Sequence, residues 1–278
     1  MTTETTRPEP PDLAQPGPVR PEIAEIACEQ ALLLGAGSAV MLQLAMKGVG
    51  LGVAEHSTTL SRPIDRLRTT LTYVYVMAIG TEEEKRAIAR LVNRAHVPVR
   101  SEGRYSAFDP ELQLWVAATL IYTGDFLYEK IFGPLSPEDR EEYYRFGQVF
   151  GTALQVKPDM WPATRAEFDR YCEESLLRLE PDPAVQGYAK QLLSTDGAPL
   201  ATRLSIPLQS LMTRGNLDPR TREVLALPWS RREQRLYDLF WKVFPPLYRM
   251  VPRRLRHLHA HLVIADMRRR MRRGKRVI

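Results

Sequence analysis

Apolar residues recur along this chain three and four apart, the spacing of a helix face, and almost nowhere alternate as a half-buried strand requires. Leu67, Leu71, Val74 and Ala78 share one stripe, which predicts a helix from Arg66 to Ile79 with Asp65 as its cap and Gly80 as its stop. Thr81 and Glu84 form a capping box for the next helix; Ile88, Leu91, Val92 and Ala95 are its apolar face and Pro98 terminates it. Asp109-Pro110 opens another, with Leu112, Trp115, Val116 and Thr119 at i, i+3, i+4 and i+7. Ser136-Pro137-Glu138-Asp139 and Thr164 (ahead of Phe168, Tyr171 and Leu176) mark two further starts. Leu32 to Ala54 is the long apolar stretch, and its Gln43, Lys47 and five glycines argue for a buried core helix over a bilayer span. Asp196-Gly197, a hairpin-type dipeptide, is not flanked by β-branched runs. The expected fold is all-α: one helical domain over 21–250, a disordered Thr-, Glu- and Pro-rich lead-in over 1–20, and a basic C-terminal extension over 251–278.

Composition narrows the class. With 278 residues, 44% hydrophobic and 26% charged, the chain is globular and long enough to bury its own core. Two cysteines, Cys28 and Cys172, exclude a disulfide scaffold and a four-cysteine zinc site; they fit a reducing, cytoplasmic setting. The start lacks the basic residues and apolar run of a secretory signal. The formal charge of +6 is uneven, because residues 231–278 hold 15 of the 39 lysines and arginines but three of the 33 acids. That end is net +12 and the rest net −6. Such a segment can meet phosphates, and peripheral membrane contact is expected of it. Trp229, Phe240, Trp241, Phe244 and Tyr248 lead into its arginines, a mixture that suits a lipid interface and equally suits a core cover. Nucleic acid has charge alone in its favour, with no reader module.

Candidate chemistry is sparse. Of five histidines, His257, His259 and His261 cluster, but on a helix just His257 and His261 align, and a solvated basic surface is expected there rather than a metal pair. His96 lies at the edge of an apolar stripe, at a helix end just before Pro98. From position it is either a core histidine bonded to a free carbonyl or a ligand. Arg66, Thr70 and Tyr73 form a row on one helix face, able to bind an anion or hydrogen-bond an oxygen ligand, or else simply exposed. Gly35-Ala36-Gly37 lacks the third glycine of a dinucleotide fingerprint, and hydrolase, kinase, P-loop and His-Glu-x-x-His signatures are missing.

Taken in order, several blocks resemble a known family. Leu42-Gln43-Leu44-Ala45, Gly52-Val53-Ala54-Glu55-His56-Ser57, Arg66-Leu67-Arg68-Thr69-Thr70 and Asn93-Arg94-Ala95-His96-Val97-Pro98-Val99 come first. Tyr105 to Val116 and Leu227-Pro228-Trp229-Ser230 follow. Over roughly residues 30–245 the series is similar to the MpaB-like and rubber-oxygenase (latex-clearing protein) catalytic domain. The resemblance implies an all-helical protein with a globin-like core around haem b, acting with O₂ on a hydrophobic, unsaturated substrate such as an isoprenoid or natural product. It implies that His96 ligates the iron, that Arg66 and Thr70 stand in the distal pocket, and that Glu55 is the nearest match to the family's glutamate. Tyr73, in line with them, is a further cofactor contact. Rubber oxygenases carry an iron-capping lysine where this chain has Thr69, so the distal side is expected to be open, with Thr69 offering a hydroxyl. Met46-Lys47 and Ala117 replace a His-Pro pair and a histidine of many relatives. Haem-dependent peroxidation, a non-catalytic haem sensor or carrier, and a basic-tailed membrane adaptor are the competing readings.

Overall fold

Capping residues and prolines punctuate the chain into short helices. The computed structural model describes residues 19–195 and 203–278; the lead-in up to residue 18 and Asp196-Gly197 lie outside the described residues. α1 (Pro21–Ala24) and two 3-10 turns, Glu25–Cys28 and Gln30–Gly35, lead into α2 (Ala36–Ala45), α3 (Lys47–His56), α4 (Pro63–Ile79) and α5 (Glu82–His96). A two-residue hairpin follows, β1 (Arg100–Ser101) antiparallel to β2 (Tyr105–Ser106), with Arg100 opposite Ser106. Then come α6 (Pro110–Phe132), α7 (Pro137–Gly147), α8 (Val149–Thr152), α9 (Arg165–Leu177) and α10 (Pro183–Leu192). The chain finishes with α11 (Ile206–Gly215), α12 (Pro219–Val224), α13 (Arg231–Arg249), α14 (Arg253–Arg256) and α15 (Leu258–Arg272). The all-α expectation holds.

The boxes at Thr81/Glu84 and Thr164/Glu167 both form, and Asp109 and Ser136 cap α6 and α7. Two boundaries differ from expectation. α4 begins at Pro63, a residue suited to a first turn, and Asp65 is not its cap but an ion-pair partner of Arg62 (3.0 Å) and Arg68 (2.7 Å). Its core stripe is shifted too: Leu71, Thr72, Tyr75 and Val76 are buried, whereas Leu67 is 47% exposed. The stretch from Leu32 to Ala54 is buried in large part but is not one helix, because the backbone turns extended at Met46. A Cβ on Gly50 would lie 2.2 Å from the Leu44 carbonyl oxygen, so glycine is what lets α3 fold back this tightly past α2. Among the described residues, no single helix is long and apolar enough to cross a membrane.

The 23-residue α6 runs between two apolar clusters. Leu114, Ala117, Ala118 and Ile121 belong to the cluster built with α4, α5, α7 and α15. Trp115 belongs to the other, with α2, α3, α10 and α12, and its indole N–H donates to the Leu42 carbonyl at 3.0 Å. Residues 251–278 lie on the body: Ala260, Ile264 and Met267 of α15 are buried against the α4 side, Val277 is buried, and Arg68 donates to the Val277 carbonyl at 2.7 Å.

Gly50→Ala is expected to push the α2–α3 break apart and to lower stability by about 1–3 kcal/mol, read as a lower midpoint in urea unfolding; an unchanged midpoint would show that the close approach is not required.

Candidate functional site

His96 is the last residue of α5, and the chain leaves it through Pro98 into the hairpin and back to Phe108, one residue before the α6 cap. The ring of Phe108 meets the imidazole edge-on, centroids 6.4 Å apart and planes at 90°. A chain of amides holds the surrounding backbone. Gln155 donates to Asn93 (3.0 Å), Gln113 accepts from the Gln155 amide N–H (2.9 Å), and Gln113 donates to the Ala107 carbonyl (2.6 Å). One end of this network therefore lies three residues from His96 and the other next to Phe108. The carbonyl partner expected for a core histidine is missing: Nδ1 is buried and makes no hydrogen bond. Burial, and secondarily the positive charge of Arg66, push the imidazole pKa down to about 4, so the ring is neutral at physiological pH.

The charge of Arg66 therefore reaches the imidazole of His96. Arg66 is exposed, yet the protein around it lowers its pKa. It has no carboxylate partner among the described residues, since Asp65 is engaged by Arg62 and Arg68. Thr69 and Thr70 both donate to the Arg66 carbonyl (2.9 and 3.0 Å) and both accept, at 3.4 Å, from its guanidinium. Their hydroxyl protons are committed, so they steady the guanidinium rather than offer donors of their own. Tyr73 continues the row but donates to the Phe150 carbonyl at 2.8 Å, and burial raises its pKa. The phenol is tied to α8.

Tyr188 was not singled out in the sequence. It sits on α10, and its hydroxyl is buried without a hydrogen-bond partner. Glu55 lies elsewhere on α3, accepting from Tyr105 (2.5 Å) and Arg104 (2.8 Å), while His56 meets the same Tyr105 hydroxyl at 3.1 Å. The Tyr105 bond above all holds the Glu55 carboxyl below its usual range, the wrong direction for a base. His257 is not solvated as expected: it is buried, with Nε2 3.0 Å from Glu29, because the segment carrying it folds back onto the first turns of the chain. A cleft of about 290 Å³ opens there, lined by Glu25, Glu29, Arg253, Arg256 and His257 among others, with carboxylates and cations matched. Buried polar atoms without a hydrogen-bond partner include His96 Nδ1 and the Tyr188 hydroxyl, as well as Asp125 Oδ1, the Trp161 and Trp241 indoles and Arg256 Nε; His96 is the imidazole among them. No group of three or more His, Cys, Asp or Glu among the described residues is placed to hold a bare metal ion.

Two uncharacterized mycobacterial proteins, one from Mycobacterium bovis and one from Mycobacterium tuberculosis, are each 36% identical over 256 residues, covering 89% of this chain and all of theirs. No solved structure matches. The family model described as ER-bound oxygenase mpaB/B'/rubber oxygenase, catalytic domain, matches residues 25–245, a span that contains Arg66, His96 and Tyr188. The chain belongs to the mpaB/rubber-oxygenase catalytic-domain family.

Proposed function

We propose that this chain is a haem b-dependent oxygenase that uses O₂ on a hydrophobic, unsaturated small molecule of isoprenoid or natural-product type. The observation that carries this is a half-buried, neutral imidazole whose Nδ1 is buried without a hydrogen-bond partner, within reach of the charge of an arginine that has no carboxylate partner among the described residues. Haem iron would ask little more of the protein than one histidine, and needs no cage of carboxylates. His96 would hold the iron. Arg66 would face the negative charge that O₂ chemistry develops, or a haem carboxylate. When bound, haem supplies the one-electron iron chemistry that lets O₂ react with a closed-shell alkene.

The chain's own residues do the rest. With a pKa near 4, His96 keeps its lone pair free of protons across the physiological range. Phe108 and the Gln155–Asn93–Gln113 network hold the ring and the backbone on either side of it, in place of the usual hydrogen bond from the second ring nitrogen. Thr69 and Thr70 keep the guanidinium pointed one way. Exposed apolar side chains neighbour these residues in the chain, Ile64 and Leu67 on either side of Arg66 and Val97 after His96. They suit an apolar substrate. The buried, unpaired thiols of Cys28 and Cys172 suit a reducing compartment, and we place the activity in the cytoplasm.

Protein from haem-replete cells is expected to show a Soret band and a pyridine haemochrome of haem b, and His96→Ala to lose both while keeping its helical circular dichroism. A folded His96→Ala protein that retains the pigment overturns the ligand assignment. Arg66→Ala should keep the pigment but bind cyanide, an anionic ligand, roughly ten- to a hundredfold more weakly, the worth of about 1.5–3 kcal/mol for a charged hydrogen bond; equal affinity would remove Arg66 from the distal side. His96 also predicts a pH signature in the apoprotein. Its folded pKa, about 4, lies below the unfolded value of about 6.5, so in that window the unfolded chain takes up a proton that the folded chain refuses. Stability should therefore fall as pH drops from about 6.5 to about 4, more steeply than in His96→Gln, with the two curves parallel above that window. Urea unfolding across the range measures it.

A further inference from the structure

α13 carries apolar side chains on two adjoining faces, and one of them is bare. Its aromatic face is covered: Tyr237, Trp241, Phe244 and Tyr248 are buried or half-buried, Phe244 and Tyr248 stack at 5.3 Å, and the Lys130 ammonium of α6 sits 5.1 Å from the Tyr237 ring centroid. Next to that face, Leu236, Leu239, Val243, Leu247 and Met250 follow at steps of three and four. They form a continuous aliphatic stripe along the helix, between 47% (Leu236) and 80% (Met250) exposed. Leu255, Leu258 and Leu262 repeat the spacing just beyond, again exposed. Scattered exposed leucines are ordinary, but a stripe of this length is not.

Charge identifies what covers it. Arg235, Lys242 and Arg249 border the stripe on the side away from the aromatics, with Arg232 at its start and Arg254 past its end. None of these five cations pairs with a carboxylate among the described residues, whereas Arg253, Arg268, Arg269 and Arg270 do. A second copy of the chain would bring one +12 segment against another, which like-charge repulsion opposes. Nor does the sequence outside the described residues have much to lay there: 1–18 and 196–202 contain two leucines, Leu13 and Leu200, and no aromatic residue. A row of aliphatics edged by unpaired cations is what the headgroup and upper acyl region of an anionic bilayer accommodates, the leucines entering and the long cations reaching phosphate.

We propose that the exposed face of α13, continued by Leu255, Leu258 and Leu262, is a peripheral docking surface for an anionic lipid bilayer. The assignment is independent of haem. It places the chain at a phase in which apolar small molecules accumulate, without a spanning helix.

The test is cosedimentation of the full-length protein with vesicles of phosphatidylcholine alone and with about 30 mol % phosphatidylserine, at about 0.05 and about 0.5 M NaCl. Wild-type protein should bind the anionic vesicles at low salt and neither the neutral vesicles nor, appreciably, the anionic ones at high salt. Leu239→Glu/Leu247→Glu changes two exposed side chains, so folding should be retained, and binding should weaken more than about tenfold. Arg235→Glu/Arg249→Glu, which leaves the stripe intact, should weaken it as much and serves as the reading if the first variant is unstable. Absent binding by wild type, or binding unaltered in both folded variants, overturns the proposal. So does a wild-type dimer in light scattering that Leu239→Glu/Leu247→Glu dissociates, which would assign the stripe to a second copy. The Soret band serves as an independent readout that neither variant should move.

Discussion

The site rests on an uncompensated charge: Arg66 has no carboxylate partner among the described residues, and its charge helps keep the His96 imidazole neutral. Proteins rarely leave a surrounded cation unpaired, since the desolvation it suffers is offset by an anion or by nothing. Here the nearest acid in sequence, Asp65, is held by Arg62 and Arg68 on the other side of Arg66. Local chemistry thus keeps Arg66 free, and its charge in turn helps keep His96 unprotonated.

Holding such a site open falls to the scaffold. α6 separates two apolar clusters, one gathering α4 and α5 and the other gathering α3 and α10. Arg66 and His96 come from the first side. The amide network from Asn93 through Gln155 and Gln113 to Ala107 stitches the end of α5 to the start of α6, and short polar side chains with fixed partners do this without filling the space. Tight backbone packing elsewhere, as at Gly50 against Leu44, lets the apolar helices close up around it.

The charge asymmetry has a structural counterpart. The basic C-terminal quarter is not a free tail: α15 packs on the α4 side, His257 is buried against Glu29, and Val277 joins the core. Some of its arginines pair with Glu25, Glu29, Glu84 and Asp266, while Arg235 and Arg249 beside the α13 stripe have no carboxylate partner among the described residues. The first group fastens the segment; the second defines a surface.

Local signals in the sequence determined a good deal. Capping boxes at Thr81 and Thr164, caps at Asp109 and Ser136, and the stop at Pro98 are all decided within four residues, so they survive folding unchanged. The adjacency of Arg66, Thr69 and Thr70 follows likewise from one turn of helix. Spacing along a helix could not decide which side of α4 faces the core, and Leu67 and Tyr73 fell on faces set by their neighbours instead. Helix α4 also starts a turn earlier than expected because Pro63 outranks Asp65 as a beginning. The influence of Arg66 on His96, the loss of a partner at Nδ1, and the burial of His257 depend on segments distant in the chain. Hydrogen bonding and hydrophobic period act over a few residues and were readable from order alone. Burial, desolvation and the pairing of remote charges exist only once the helices have packed, and the tertiary structure alone decided those.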